Sequence, residues 1–358
     1  MPKWLALLLV VATTARPAPA AAQGLSRVSL DSVGAMDLFK GNGTTGHPNT
    51  SLDVSAVVRL GGGWSAQVRP WFFKSSASGS LWSRELYQAQ VRYARAGRVS
   101  TRLDAGFIAS PMGLGMLDMR ADVNPTVQGH ASYFVPLLAF DAAAPAVRAL
   151  ASTYPLGANL TLSTTRWDVR AALVNSAPNR RYAFNSRAKN PDATPVVIVG
   201  GGLTPTPGLR VGGSFVAGRY ATAAEVKDPL VERELRMWSV EAEYAFAYTK
   251  LAAEFTQSRF AFGAGRAAAS SYYVQGVQTL SPHLFAAARL ERIDTPPRDI
   301  QGTSAATRRR YQTIETSVGY RLTPELTLRG SAVAVRGYTA AAADRRAGLQ
   351  LVWSRRWW

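Results

Sequence analysis

The chain has 358 residues, a formal net charge of +18, no cysteine, and 9 Trp, 13 Tyr and 13 Phe in a composition that is 47% hydrophobic. Without cysteine there is no disulfide, thiolate metal site or lipidated cysteine anchor, and beyond the first residues no run of about 18 uninterrupted apolar residues suggests a membrane helix. The arginines are spread along the whole chain rather than gathered in one patch, which makes nucleic acid the weakest partner for so basic a protein.

Met1-Pro2-Lys3 is a short positive start. Trp4 to Ala12 is an apolar run of about nine residues, too short to span a bilayer as a helix. A Pro/Ala stretch then leads to Ala20-x-Ala22 before Gln23. This is the pattern of a secretory signal cleaved near Ala22. Residues 1–22 are expected to leave and 23–358 to form one domain. Loss of Lys3 and Arg16 takes the charge from +18 to +16 (18 minus 2). An exported chain rich in glycine and aromatics, without helical spans, has the profile of an outer-membrane barrel.

Along the mature chain the hydrophobic period is two. Leu52, Val54, Ala56, Val58 and Leu60 alternate with Asp53, Ser55 and Arg59. Tyr87, Ala89, Val91 and Tyr93 alternate with Gln88, Gln90 and Arg92, and Trp238 to Tyr248 alternate with Glu241 and Glu243. Ile314 to Leu322 alternate with Thr313, Glu315, Ser317 and Arg321. Such segments place one face in an apolar medium and the other in water. The pattern predicts strands near 25–40, 50–60, 64–74, 84–97, 100–110, 157–164, 167–176, 194–203, 208–219, 233–248, 250–261, 269–280, 283–294, 309–322, 325–337 and 345–358. That is an even number, about sixteen, as a bacterial up-and-down barrel requires.

Tight connections at 61–63, 96–98, 165–166, 204–207, 249, 281–282 and 323–324 alternate with longer polar loops such as 41–49, 75–83, 177–193, 220–232 and 295–308. Short periplasmic turns and long external loops give that order, whereas Greek-key crossings break it. Closure also leaves no unpaired edge in lipid. The fold expected is therefore an all-β, transmembrane, antiparallel barrel.

One connection is far longer than the rest. Residues 111–156 contain Phe134, Val135, Leu137, Leu138, Ala139 and Phe140 almost contiguously. That composition argues against disorder and for a segment folded inward against the barrel wall.

With this loop after the fifth strand, the chain resembles the outer-membrane porins, and more loosely the superfamily that includes phosphate-selective channels. Hairpin sequences carry the same resemblance: Tyr273-Val274-Gln275-Gly276 leading to Leu280-Ser281-Pro282, and Arg321-Leu322-Thr323-Pro324-Glu325-Leu326-Thr327-Leu328. So does the aromatic end, Trp353 with Trp357-Trp358. The resemblance implies a constriction loop, a terminal signal read by barrel-assembly machinery, and a homotrimer. The last strand departs from the usual pattern. Its more apolar register is Leu349, Leu351, Trp353, Arg355 and Trp357, which leaves Trp358 beyond the lipid-facing set.

The alternation puts Arg59, Arg69, Arg92, Arg102, Arg170, Arg210, Arg289, Arg321 and Arg329 on the lumen face. Asp53, Asp104, Asp168, Glu241, Glu243, Glu254, Glu291 and Glu315 share it. The near balance reads either as an arginine ladder guiding anions or as a wet wall of ion pairs, each worth little. In the long loop Asp118, Arg120, Asp122 and Arg148 are candidates for a transverse field at a constriction or for a solvated turn. Arg180, Arg181, Arg187 and Lys189 could meet lipopolysaccharide phosphates or simply solvate a loop. Trp71, Trp82, Trp238, Tyr244, Tyr248, Trp353 and Trp357 read as interfacial girdles, with a lumenal aromatic stack for sugars as the rival.

The only histidines, His47, His130 and His283, are not placed on strands beside a serine and an acid, so the chain is not expected to be an enzyme. No cofactor or metal is expected; Asp118, Asp122 and Asn124 lack the EF-hand spacing. The leading expectation is a passive diffusion channel for small hydrophilic solutes, mildly anion-preferring, in contact with outer-membrane lipid and lipopolysaccharide. The alternative is a structural or adhesive barrel with a plugged lumen.

Overall fold

The computed structural model describes residues 27–41, 44–75, 82–116, 119–141, 144, 146–150, 154–180, 195–221, 233–263, 265–295, 309–338 and 342–357. The signal segment at 1–22 and the loop cations Arg181, Arg187 and Lys189 lie outside them, as does Asp118.

The described chain is a closed antiparallel barrel of sixteen strands. The first five are β1 (Val28–Gly41), β2 (Thr44–Gly61), β3 (Trp64–Ser75), β4 (Ser83–Arg95) and β5 (Ser100–Phe107). After the inward loop come β6 (Leu156–Ser163), β7 (Trp167–Val174), β8 (Val196–Thr206), β9 (Leu209–Arg219), β10 (Arg233–Phe246) and β11 (Thr249–Phe262). The wall ends with β12 (Gly265–Thr279), β13 (Leu284–Asp294), β14 (Arg310–Thr323), β15 (Leu326–Arg336) and β16 (Asp344–Arg356). Each strand pairs with its sequence neighbours, and β1 pairs with β16 to close the ring. Inside the loop, α1 (Ala131–Phe134) is a single helical turn.

The long-loop end is less regular than the sequence suggests. The loop expected at 41–49 is mostly strand, because β2 begins at Thr44 and Gly41 pairs with Thr44. The β11–β12 connection is likewise tight, with Phe262 paired to Gly265. Ladder hydrogen bonds do not require alternating apolar side chains, so the polar start of β2 and the small residues Gly265, Ala267 and Ala268 of β12 extend both hairpins.

The side-chain alternation follows the expected register. Phe215, Tyr244, Phe255, Leu328 and Leu351 are 36–45% exposed on the outer face, and Leu52, Val54, Ala105 and Phe107 fall on that face by alternation. In β16 the outer set includes Leu349 and Leu351, while Gln350 and Val352 are buried inside. Trp357 ends the set: its indole N–H donates to Ser32 Oγ (2.8 Å) and its backbone N–H to the carbonyl of Leu30 (2.9 Å).

One local register shift corrects the reading of Tyr87 and Trp71. The β3–β4 ladder pairs Arg69 with Gln88 and Pro70 with Leu86, so Tyr87 is an extra residue opposite Pro70, which has no N–H to offer. Tyr87 is buried, and Trp71 pairs with the inward Asp53. Trp71 therefore belongs to an inner stack rather than to a lipid girdle. Phe73 and Trp71 stack at 5.2 Å, Trp71 and Tyr87 at 5.1 Å, and Tyr87 and Tyr154 at 4.5 Å.

Candidate functional site

The segment between β5 and β6 folds into the barrel and is held by carboxylates of the wall. Glu254 on β11 accepts the backbone N–H of Leu114 (2.9 Å). Glu315 on β14 accepts the N–H groups of Val127 (2.9 Å) and Gln128 (3.1 Å), and Glu291 on β13 accepts that of Ser132 (3.3 Å). Arginines of the wall bind loop carbonyls in return: Arg289 reaches Gln128 (2.6 Å) and Arg329 reaches Ala121 (2.6 Å). Ionic acceptors suit orphan amides, because hydrogen bonds to charged groups are the stronger ones.

Apolar packing adds to these anchors. Ile108, Met112, Tyr133, Leu137, Phe140 and Leu150 of the loop share one buried cluster with the inner faces of β7 to β13, including Val196, Ile198, Leu235, Met237, Phe260 and Ile293. At the cluster's edge Asp141 binds Arg233 (2.7 Å) and accepts the Tyr220 hydroxyl (2.8 Å). Burial pushes the Tyr133 hydroxyl well above the usual tyrosine range, so that it stays un-ionised.

The wall from β2 to β6 and the short-turn halves of β7 to β9 are left to the lumen. Arg69 binds Asp53 (2.6 Å), and Arg92 (2.5 Å) and Arg102 (3.0 Å) both bind Asp104. Further round, Arg170 of β7 reaches across β8 to Ser214 of β9 (2.7 Å) and on to Glu241 of β10 (3.3 Å). Arg210 of β9 joins Asp168 (3.0 Å) and the same Glu241 (2.7 Å). The run Gly200-Gly201-Gly202, paired with Ser214, Gly213 and Gly212, makes this possible. A Cβ at Gly200 would stand 2.9 Å from Arg170 Nε, and one at Gly202 2.7 Å from Arg210 Nη2. With no side chains there, both guanidiniums lie flat on the sheet.

The structure sorts the expected lumen residues into two groups. Arg59, Arg69, Arg92, Arg102, Asp104 and Arg170 are on the open wall, and Glu243 faces inward near the short turn, paired with Lys250 (3.0 Å). Arg321 also sits at the short-turn end, bonded to the Pro282 carbonyl (3.0 Å). Glu254, Arg289, Glu315 and Arg329 face inward too, but each is only 2–3% exposed because the loop lies on them. These four are corrected from pore-lining residues to loop anchors.

Within the loop, Arg120 binds Asp31 of β1 and Asp122, both at 2.6 Å, and is partly exposed. Its hydrogen bond to Asp122 raises the Arg120 pKa. Arg148 bonds the carbonyls of Phe134 (3.2 Å) and Ala146 (3.2 Å), where its strand bridge to Pro136 holds the loop to itself. Arg120 and Arg148 are thus not brought together. His130 is buried against Tyr273 at 4.4 Å, 3.7 Å from Glu291. Among the described residues no three His, Asp or Glu side chains form a cluster able to hold a metal.

Sequence reasoning missed Gly200, Gly202, Gly212 and Ser214; three consecutive glycines inside a strand were the available signal for a close approach. It also missed Asp31 and Asp141 as partners, which no local pattern reveals.

No protein-family model matches the sequence, and no curated protein matches it either. Solved structures do. OmpF of Salmonella typhi in complex with daunomycin superposes with a TM-score of 0.61 at 11% identity, covering 92% of this chain and 97% of that one. An anion-selective porin from Comamonas acidovorans gives 0.60 at 11% identity, covering 92% and 99%. OprB of Pseudomonas putida gives 0.60 at 11%, covering 92% and 94%. The chain has the porin fold.

Proposed function

We propose that this porin-fold chain is a water-filled channel of a bacterial outer membrane, passing small hydrophilic solutes by diffusion with a mild preference for anions. The observation that carries the reading is the division of the lumen. On the side covered by the loop, Arg289 and Glu315 side chains are 2% exposed. On the opposite wall the exposure is 35% for Arg92, 48% for Arg102, 18% for Arg170 and 22% for Arg210. Hydrated guanidiniums along one wall are what a solute path needs. That wall carries Arg59, Arg69, Arg92, Arg102, Arg170 and Arg210 against Asp53, Asp104, Asp168 and Glu241, a modest cationic excess. In a confined, poorly screened space such an excess favours anions. The constriction is assigned to the loop, with Arg120 and Asp122 at its partly exposed edge. Assembly as a homotrimer and insertion by barrel-assembly machinery belong to the same proposal, as does loss of residues 1–22.

A plugged adhesive or structural barrel is the second reading, favoured by the size of the buried cluster between loop and wall. Planar-bilayer recording of refolded 23–358 separates the two. Stepwise, ohmic conductance with a reversal potential toward anions in a KCl gradient is expected. A silent bilayer supports the plug, and strong cation selectivity contradicts the assigned preference.

A further inference from the structure

The barrel's two outer rims differ in chemistry. At the short-turn rim the outer face exposes Trp64, Trp167, Tyr244, Phe246, Tyr248 and Tyr320, at 36–73%. At the long-loop rim it exposes cations. Arg236, Arg259 and Arg266 occupy outer positions on β10, β11 and β12. Arg292, Arg310, Arg336 and Arg345 do so on β13 to β16. Arg219 on β9 and Lys40 on β1 extend the series, so nine consecutive strands around the closed ring each contribute one. Each continues a lipid-facing row: Arg236 precedes Trp238 and Val240, and Arg345 precedes Leu349 and Leu351.

Carboxylates do not balance this arc. Among the described residues only Glu234, opposite Arg219, and Asp294, bound to Arg292 (2.8 Å) and Arg310 (3.0 Å), share its face. Arg236, Arg259, Arg266, Arg336 and Arg345 have no carboxylate partner among the described residues. Arg236 and Arg259 stand directly opposite one another in the ladder, an arrangement that is destabilising unless an anion lies between the two charges. Between the end of β13, the start of β14 and the end of β15, Arg309, Arg310 and Arg336 rim a cleft of about 440 Å³ that Thr295, Gln312 and one carboxylate, Asp294, also line, three cations against one anion.

We propose that this arc binds the phosphate groups of a phosphorylated lipid in the leaflet on the long-loop side, with the Arg309–Arg310–Arg336 cleft seating one headgroup. The acyl chains would continue down the apolar outer rows, and the guanidinium fork suits a phosphate bidentately. The reading is independent of whether the lumen conducts.

The test uses refolded 23–358 in neutral dodecyl maltoside micelles doped with diphosphoryl lipid A, with bound lipid counted by native mass spectrometry. Wild type should retain lipid A and prefer it to zwitterionic phosphatidylcholine. The variant R236Q/R259Q/R336Q/R345Q should bind far more weakly, at roughly fivefold per arginine removed. R336K/R345K keeps the charge and should recover part of the affinity, and its fold is checked by heat-modifiable gel migration. R95Q/R98Q, at the opposite rim, should bind like wild type. The proposal is overturned if the quadruple variant binds like wild type, if R95Q/R98Q loses as much, or if phosphatidylcholine binds equally well.

Discussion

Arg170 and Arg210 show how a residue's function is set by what its neighbours lack. Both guanidiniums lie on a glycine floor, so they present charge to the lumen without occupying it. G202V would place a side chain where Arg210 now rests and push the guanidinium inward. Single-channel conductance should fall while the β-sheet circular dichroism stays unchanged; equal conductance would show that the Arg210 position does not bound the path. R92Q/R102Q tests charge instead. A unit charge about 8 Å from an ion in water is worth about 0.5 kcal/mol, a little over twofold in local concentration. Reversal potentials in a KCl gradient should move toward cations by a comparable permeability ratio, and no movement would remove these two residues from the selectivity-setting wall. An inward face for Arg170 and Arg210 could be argued from the alternation, because a period of two tolerates no drift without inverting the whole strand. Whether Arg289 or Arg329 met water was not legible, since that depends on where a loop from the other side of the barrel comes to lie.

At the scale of elements, the inward loop is a core segment without a strand of its own. Its run from Phe134 to Phe140 signalled a need for burial, and Leu137 and Phe140 find it at 5% and 2% exposure, although Phe134 remains 38% exposed. The receiving surface was also written in the chain. Val196-Val197-Ile198-Val199 and Phe260-Ala261-Phe262 are apolar in both registers, which marks strand ends that are dry on both faces. The pairing of these signals was not visible, because it links segments more than fifty residues apart. Asp141 ties the loop to this surface through Arg233 and Tyr220. D141A removes the acceptor both side chains use and should cost about 3 kcal/mol, seen as a lower urea midpoint for unfolding from lipid vesicles. A midpoint equal to wild type would mean that the apolar cluster alone holds the loop.

For the whole molecule, the even strand number and antiparallel neighbour pairing were readable from turns and alternation alone. The bulge at Tyr87 and the extensions of β2 and β12 were not, since each depends on a partner strand's backbone. Lumen geometry is a property of this scale, because it is set jointly by a closed wall and a loop anchored across half of it. Deleting residues 115–140 leaves every wall strand intact and removes the contacts to Glu291 and Glu315. Conductance per channel should rise, and an unchanged value would place the loop outside the solute path.

The seam between β1 and β16 makes the order of the chain partly arbitrary. Trp357 hydrogen-bonds to Leu30 and Ser32, so the start of β1 and the end of β16 lie side by side at the short-turn rim. A short flexible linker between them would add one more tight turn to a rim already made of them. New ends could then be opened in the connection between Asp294 and Arg310, at the other rim. Such a circular permutant should fold to the same barrel in detergent, because proximity of the joined residues is the condition for permutation to be tolerated. In a cell the same molecule would carry its aromatic segment internally. If it refolds in vitro yet fails to reach the outer membrane, the terminal position of that segment serves delivery and not stability; equal yields in both settings would show that the barrel is recognised without regard to where its sequence starts.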